Sequence, residues 1–268
     1  MKKLVSISLI AIFTFAAGCN RVPLTGRKQL NLIPASQINL LSADSYQSIV
    51  NNSKVVDDTD HARMVESSGQ RIKNAVEEYL QQNKMSGKVK DFDWTFNLLE
   101  DDMVNAFCMP GGRVVFYTGI MPICENETGV AVVMGHEIAH AIAKHGNERM
   151  SQGLVQQLGG MALAVALRDK PQQTQALFMS AYGVGSQFGV MLPFSRLHES
   201  EADKLGLIFM AMAGYDPREA PRFWKRMNDR SGGSQPPEFM STHPSHETRI
   251  EDLNNFMPEA LKYYNKSS

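Results

Sequence analysis

An α+β fold, mainly helical with a small β-sheet, is what this sequence predicts, and three observations predict it. Two segments in the first third keep apolar residues at helical spacing, and two later segments read as strands. The stretch VVMGHEIAHAIAKHG, residues 132–146, then makes a helix that is apolar nearly all round. A chain of 268 residues fits one domain of ordinary to large size. Its 43% hydrophobic and 21% charged content suits a protein that buries a real core. The formal charge of -1 gives no electrostatic reason to expect nucleic acid.

Taken in order, Met1-Lys2-Lys3 is a positive start and residues 4–17 are an apolar run too short to span a membrane, so residues 1–18 read as a signal peptide. FAAGC follows, and a small-small-Cys ending resembles the bacterial lipobox, in which Cys19 becomes the lipidated first residue. Ordinary cleavage after Gly18 is the competing outcome, and the placement of the cysteine favours lipidation. Either route exports the chain. Asn20 after the cysteine resembles outer-membrane sorting in Gram-negative bacteria. Residues 19–35 read as a tether with one short strand at most. Residues 36 to about 50 and 60 to about 83 read as helices, the second with Met64, Ile72, Val76 and Leu80 on one stripe. DFDWTFNLLED alternates as a strand, with Phe92, Trp94, Phe96 and Leu98 on one face. After the Pro110-Gly111-Gly112 turn, GGRVVFYTGIM gives a second strand. With Cys19 lipidated, Cys108 and Cys124 are an even pair in an oxidising compartment, and a disulfide between them is favoured over two buried thiols. Residues 153–194 form two apolar, glycine-broken pieces split by RDKPQQTQ, read as a helical hairpin that covers the active site, lies on a membrane or packs in the core.

The chemistry sits in the apolar helix. His136 and His140 are four apart, so both imidazoles reach one ion, and Glu137 projects beside the first. Burying two histidines and a carboxylate without partners is costly, which argues for a bound metal. His145 fits the third-ligand spacing of such sites poorly and reads as a hydrogen-bonding histidine. Downstream, SRLHESEADKLGL places Glu199 and Asp203 on one helix face. Glu199 would complete a two-histidine, one-carboxylate site with an open position, and Asp203 would orient a ligand or act on the reacting centre.

HEIAHAIAKHGNERMS, HESEADKLGL and STHPSHETRI, in that order, resemble the HtpX and CAAX prenyl protease family of zinc endopeptidases. The resemblance is strongest to its exported, LoiP- and BepA-like, Oma-related lipoprotein branch, and covers residues from PLTGRKQLNLI onward. It implies a zincin-type (gluzincin) catalytic domain over residues 36–268 and one Zn2+ per chain on His136, His140 and Glu199. It further implies Glu137 as general base, Asp203 as an active-site residue and His243 near the reacting centre. His243 would stabilise the oxyanion or fill the open zinc position in a resting form. Asn105, Ala106 and Phe107 fall on VNAFCMPGG, which resembles an edge strand that pairs with substrate backbone. The activity implied is hydrolysis of misfolded or unassembled envelope proteins, with a lipid anchor in the outer membrane facing the periplasm. The rival function is a latent or non-proteolytic chaperone with a gated zinc site. Substrate, docking partners and oligomeric state are not given by the sequence.

Overall fold

The computed structural model describes residues 19–187, 191–231, 237–243 and 248–267, so the signal-type segment lies outside the described residues. Contacts divide the chain into two compact units. One holds the chain up to Ile38 together with Lys144–Leu197, and the other holds Asn39–Ala143 with His198–Ser268.

The first unit shows that the expected tether is folded. Strand β1 (Cys19–Arg21) pairs antiparallel with β2 (Lys28–Leu30). The loop between them closes through Val22 N–H to Arg27 O at 2.9 Å. This pair is fixed to the helix His145–Leu167 of the same unit. Arg27 donates to both carboxylate oxygens of Glu148, at 2.8 and 2.7 Å, and Gln29 Nε2 donates to the same group at 3.0 Å. Two further bonds continue the clasp, Leu32 N–H to Ser151 Oγ and Asn147 Nδ2 to Ile33 O, both 2.9 Å. Removing Arg27 would take two charge-assisted hydrogen bonds from a buried carboxylate, each worth about 1.5–3 kcal/mol.

Beyond that clasp, the helix His145–Leu167 runs into Gln172–Ser186, forming the hairpin that the sequence predicts. Tyr182 lies on Gly159 and Gly160, and its hydroxyl donates to Gln156 O at 2.8 Å. The outer faces are not in a core. Leu158, Met161, Val165, Leu177, Phe178 and Val184 are all exposed, Leu177 at 68%. The described part of the 153–194 region therefore does not pack as ordinary core. No helix among the described residues is long and apolar enough to cross a membrane.

In the second unit, helix α1 (Ala35–Asn51, which starts in the first unit) and α2 (Asp60–Gln82) follow the predicted bounds closely. Thr59 caps α2, its hydroxyl accepting from Ala62 N–H at 3.1 Å, a contact worth about 1 kcal/mol. The α2 stripe is buried at Val65, Ile72, Val76 and Leu80, whereas Met64 is half-buried. Three strands follow where composition and alternation gave two: β3 (Thr95–Leu99), β4 (Ala106–Met109) and β5 (Arg113–Tyr117). The order is β3-β5-β4, with β3 parallel and β4 antiparallel to β5. Thus β4 is an edge strand, as the resemblance implies. Phe92 and Trp94 precede the ladder and pack on the turn at Gly111 and Gly112, whose φ angles of 92° and 87° favour glycine.

A short helix α3 (Met121–Cys124) leads to α4 (Glu127–Ile142), capped by Asn126 Oδ1 from Thr128 and Gly129 N–H. Helix α4 packs against α2, β4 and the later helix Glu219–Ser231. Cys108 and Cys124 are both free, so the expected disulfide is not formed. Cys108 is held in the ladder opposite Val114 with its sulfur turned to Met109 O at 3.6 Å, whereas Cys124 is sealed at the end of α3. Each thiol is committed to its own surroundings.

Candidate metal centre

The second unit brings the predicted residues together through one helix crossing. For labels, α5 is His145–Leu167, α6 Gln172–Ser186, α7 Leu192–Met212, α8 Glu219–Ser231, α9 Glu238–Thr242 and α10 Arg249–Ser267. Helices α4 and α7 touch backbone to backbone at Gly135 and Gly206. A Cβ on Gly135 would stand 2.9 Å from Gly206 O, and one on Gly206 would stand 2.9 Å from His136 N. That close approach sets Glu199 and Asp203 of α7 against His136 of α4. Neither glycine was singled out by the sequence, because a glycine in an apolar helix looks the same whether it packs or not.

His136, His140, Glu199 and His243 each offer one ligand atom, and all four atoms lie within 4.8 Å of one another. The separations are specific. His140 Nε2 is 3.1 Å from His136 Nε2, which is 3.3 Å from Glu199 Oε2 and 3.3 Å from His243 Nδ1. His243 Nδ1 is in turn 3.3 Å from both Glu199 oxygens. Four ligands bound tetrahedrally at zinc's usual ~2.0–2.1 Å stand about 3.3–3.4 Å apart. The donor set therefore has the size and chemistry of a zinc site, with His243 at the fourth vertex. His145, which the sequence set aside, is outside this group among the described residues.

The surrounding contacts fix each donor. Asp203 Oδ1 lies 2.9 Å from His136 Nδ1, which directs the Nε2 lone pair into the cluster. Without a metal, burial disfavours the His136 imidazolium, but hydrogen bonds to Asp203 and Glu199 outweigh it and bring the pKa up to about 9, so a metal ion would bind by displacing the Nε2 proton. Burial likewise opposes ionisation of Glu199. The charge of His140, with hydrogen bonds to His136 and His243, nevertheless holds its carboxyl well below the usual range. Asp203 is also lowered, burial being overcome by the Arg249 guanidinium and by His136.

Glu137 differs. Burial raises its pKa, partly offset by His243 and His136, and the backbone N–H of Cys108 in β4 donates to its carboxylate. Its Oε1 has no hydrogen bond, yet His243 Nε2 stands 3.3 Å away. His243 thus faces the metal donors with one nitrogen and Glu137 with the other. Of the two places the resemblance offers His243, beside the oxyanion or at the open metal position, its Nδ1 lies at the second.

The expected substrate strand is placed as follows. The Asn105 carbonyl accepts from Tyr117 N–H at 3.1 Å, and its side-chain oxygen accepts from Ala106 N–H at 2.9 Å. Ala106 is buried, and Phe107 packs with Tyr117 and the cluster of Tyr46, Leu99 and Val115. Any pairing along β4 would therefore use its backbone rather than these side chains. Just upstream, Val104 O accepts from Phe239 N–H of α9 at 3.0 Å, and the Phe239 ring packs on His243 at 4.6 Å.

An HExxH helix, a carboxylate from a second helix and an edge strand beside them define a zincin-type metallopeptidase site. Residues 66–257 match the model of Peptidase family M48, and the chain belongs to that family. It is 29% identical over 262 residues to human "Metalloendopeptidase OMA1, mitochondrial", covering 96% of this chain and 49% of that protein. To the Schizosaccharomyces pombe "Mitochondrial metalloendopeptidase OMA1" it is 36% identical over 174 residues, covering 64% of this chain and 49% of the relative. To the Escherichia coli K12 "Beta-barrel assembly-enhancing protease" it is 34% identical over 168 residues, covering 60% and 34%. The chain thus spans about half the length of the OMA1 proteins and about a third of the bacterial one.

Proposed function

We propose that this chain is a zinc-dependent endopeptidase of the bacterial cell envelope that cleaves misfolded or unassembled proteins, held here in a closed resting form. The observation that carries it is the cluster of His136, His140, Glu199 and His243, with Glu137 against its fourth donor. Bound there, zinc would polarise a peptide carbonyl and make water acidic enough to lose a proton near neutral pH. The rest falls to the chain. Glu137, its carboxyl pKa raised by burial, is suited to take that proton and return it to the leaving amine. His243 would have to swing off both the donor cluster and Glu137 before water and substrate could enter. The hydrogen bond from Phe239 to Val104 ties that movement to the lead-in of β4, where an extended peptide would add by backbone pairing.

The envelope setting rests on the signal-type residues 1–18 and on Cys19, which opens β1 at the start of the described chain. A lipid on Cys19 would hold the protein to the outer membrane, facing the periplasm. Unfolded envelope polypeptides suit a cleft that reads backbone rather than side chains.

His243 in the fourth position also favours a second reading, a chaperone or assembly factor that seldom cuts. Casein cleavage by the mature wild type and by Glu137→Gln, each assayed for zinc, separates them. The protease reading expects chelator-sensitive cleavage lost in Glu137→Gln with zinc near one per chain. Zinc-loaded wild type that never cleaves would favour the chaperone, and zinc-free wild type would sink both.

A further inference from the structure

Arg249 opens α10 and is completely buried. A guanidinium taken out of water costs several kcal/mol unless paired, so a fold keeps one there for a reason. Its pairing is one-sided. Nη2 donates to Asp203 Oδ1 at 2.7 Å and also lies 3.4 and 3.5 Å from the two ring nitrogens of His136, while Nε and Nη1 have no hydrogen-bond partner. Nη1 points towards Glu199, 3.5 Å from Oε2. The group lies flat on Trp224, its Cζ 3.3 Å from the ring centroid, a cation–π contact sheltered from solvent. Trp224 in turn stacks on Phe239, so the guanidinium is fixed from one side and aimed at the carboxylates from the other.

We propose that Arg249 is a positioning residue of the metal centre, acting through Asp203 to fix the tautomer of His136 and supplying the charge that balances the loaded site. This rests on the reading of His136 and Glu199 as zinc ligands. The Asp203 oxygen that takes the Arg249 hydrogen bond is the one facing His136 Nδ1. Arg249 holds that oxygen where it accepts the Nδ1 proton, which leaves the Nε2 lone pair for the metal. The charges also close. Glu137, Glu199 and Asp203 bring three negative charges when ionised, zinc two positive ones, and Arg249 supplies the third. Sequence reading passed over it, because one arginine in STHPSHETRI looks like any solvated arginine.

The test is zinc affinity of the full mature chain, by competition with a chromophoric chelator, for wild type, Arg249→Gln, Arg249→Lys, Asp203→Asn and the double variants. Removing such an outer partner should weaken zinc binding by roughly 10–100-fold. Arg249→Lys, which keeps the charge and loses the fork, should fall between. Arg249→Gln added to Asp203→Asn should cost clearly less than the sum of the two single losses, since much of the arginine's effect passes through Asp203. Nitrogen-15 spectra should show His136 protonated at Nδ1 in wild type and losing that preference in Arg249→Gln, which a merely structural arginine would not change. Should Arg249→Gln fail to fold, Arg249→Lys carries the same cycle. Wild-type affinity in the arginine variants, or losses that add fully, would overturn the inference while leaving the zinc site standing. Wild type that binds no zinc would overturn the site and this inference together.

Discussion

Helix α4 and the α5–α6 hairpin are built from similar residues and have opposite fates. Of the 16 residues in α4, 12 are buried, and they include His136 and Glu137. Of the 15 residues in α6, none is buried, and α5 is buried only near its first turns. Alanine and glycine are frequent in both, and each mixes apolar residues with a few polar ones. The difference lies in what packs around them, since α4 meets α2, α8 and β4 within its unit whereas α6 meets α5. Apolar composition thus marks a helix able to be buried, and neighbours decide whether it is. Burial then gives polar residues their chemistry, raising the Glu137 pKa and making the Asp203 and Glu199 contacts of His136 strong.

Several changes should sharpen or break this contrast. The largest effect belongs to the polar residues of α4. Glu137→Gln should lower peptide cleavage by roughly 10²–10⁴-fold with zinc content unchanged, the usual cost of losing a general base. Parallel loss of zinc would instead make Glu137 a structural residue. Next comes packing. Ile138→Ala should destabilise by about 2–5 kcal/mol in denaturant unfolding, whereas Leu158→Ala on the hairpin should stay within about 0.5 kcal/mol. Equal losses at the two sites would mean that the hairpin face is covered in solution. Gly206→Ala, which forces α7 off α4, should cost about 1–3 kcal/mol and lower zinc occupancy too, measured by melting and metal assay.

His243→Ala should leave zinc bound and raise casein cleavage if the imidazole closes the site, while a fall in cleavage would assign His243 to the reaction itself. The smallest effect concerns the thiols. Burial and the Glu137 charge hold the Cys108 thiol well above its ordinary pKa, and burial brings Cys124 up to about 12, only partly opposed by Arg226. A thiol with a raised pKa stays protonated at pH 8, and the thiolate is the form that reacts. Alkylation of the native protein should therefore be slow at pH 8 and quicken only well above pH 9, with both sulfurs reacting once unfolded. A missing pair of thiols after unfolding would restore the disulfide.

Much of this could be read from residue order. The bounds of α1 and α2, the hairpin and strands β3 and β5 all follow from period and turn residues, which are local properties. The pairing of His136 with His140 and of Glu199 with Asp203 is local as well, being one helical turn in each case. What escaped depends on contacts distant in the chain. Arg249 is 46 residues from its partner Asp203. Strand β4 is too short to show alternation, and only its resemblance to a known edge strand marked it. The tether is ordered by a part-buried ion pair 121 residues apart, Arg27 to Glu148, which no local pattern reports. The favoured disulfide came from counting cysteines, and counting cannot see that Cys108 is held in a strand.

Zinc content and zinc-edge X-ray absorption of the mature wild type, beside His136→Ala and His243→Ala, decide whether these side chains hold a metal. The account predicts one zinc per chain with three imidazole nitrogens and one carboxylate at about 2.0–2.2 Å, two imidazoles in His243→Ala, and loss of the metal in His136→Ala. A wild type without zinc, or with zinc bound through sulfur or unaffected by His136→Ala, would contradict it.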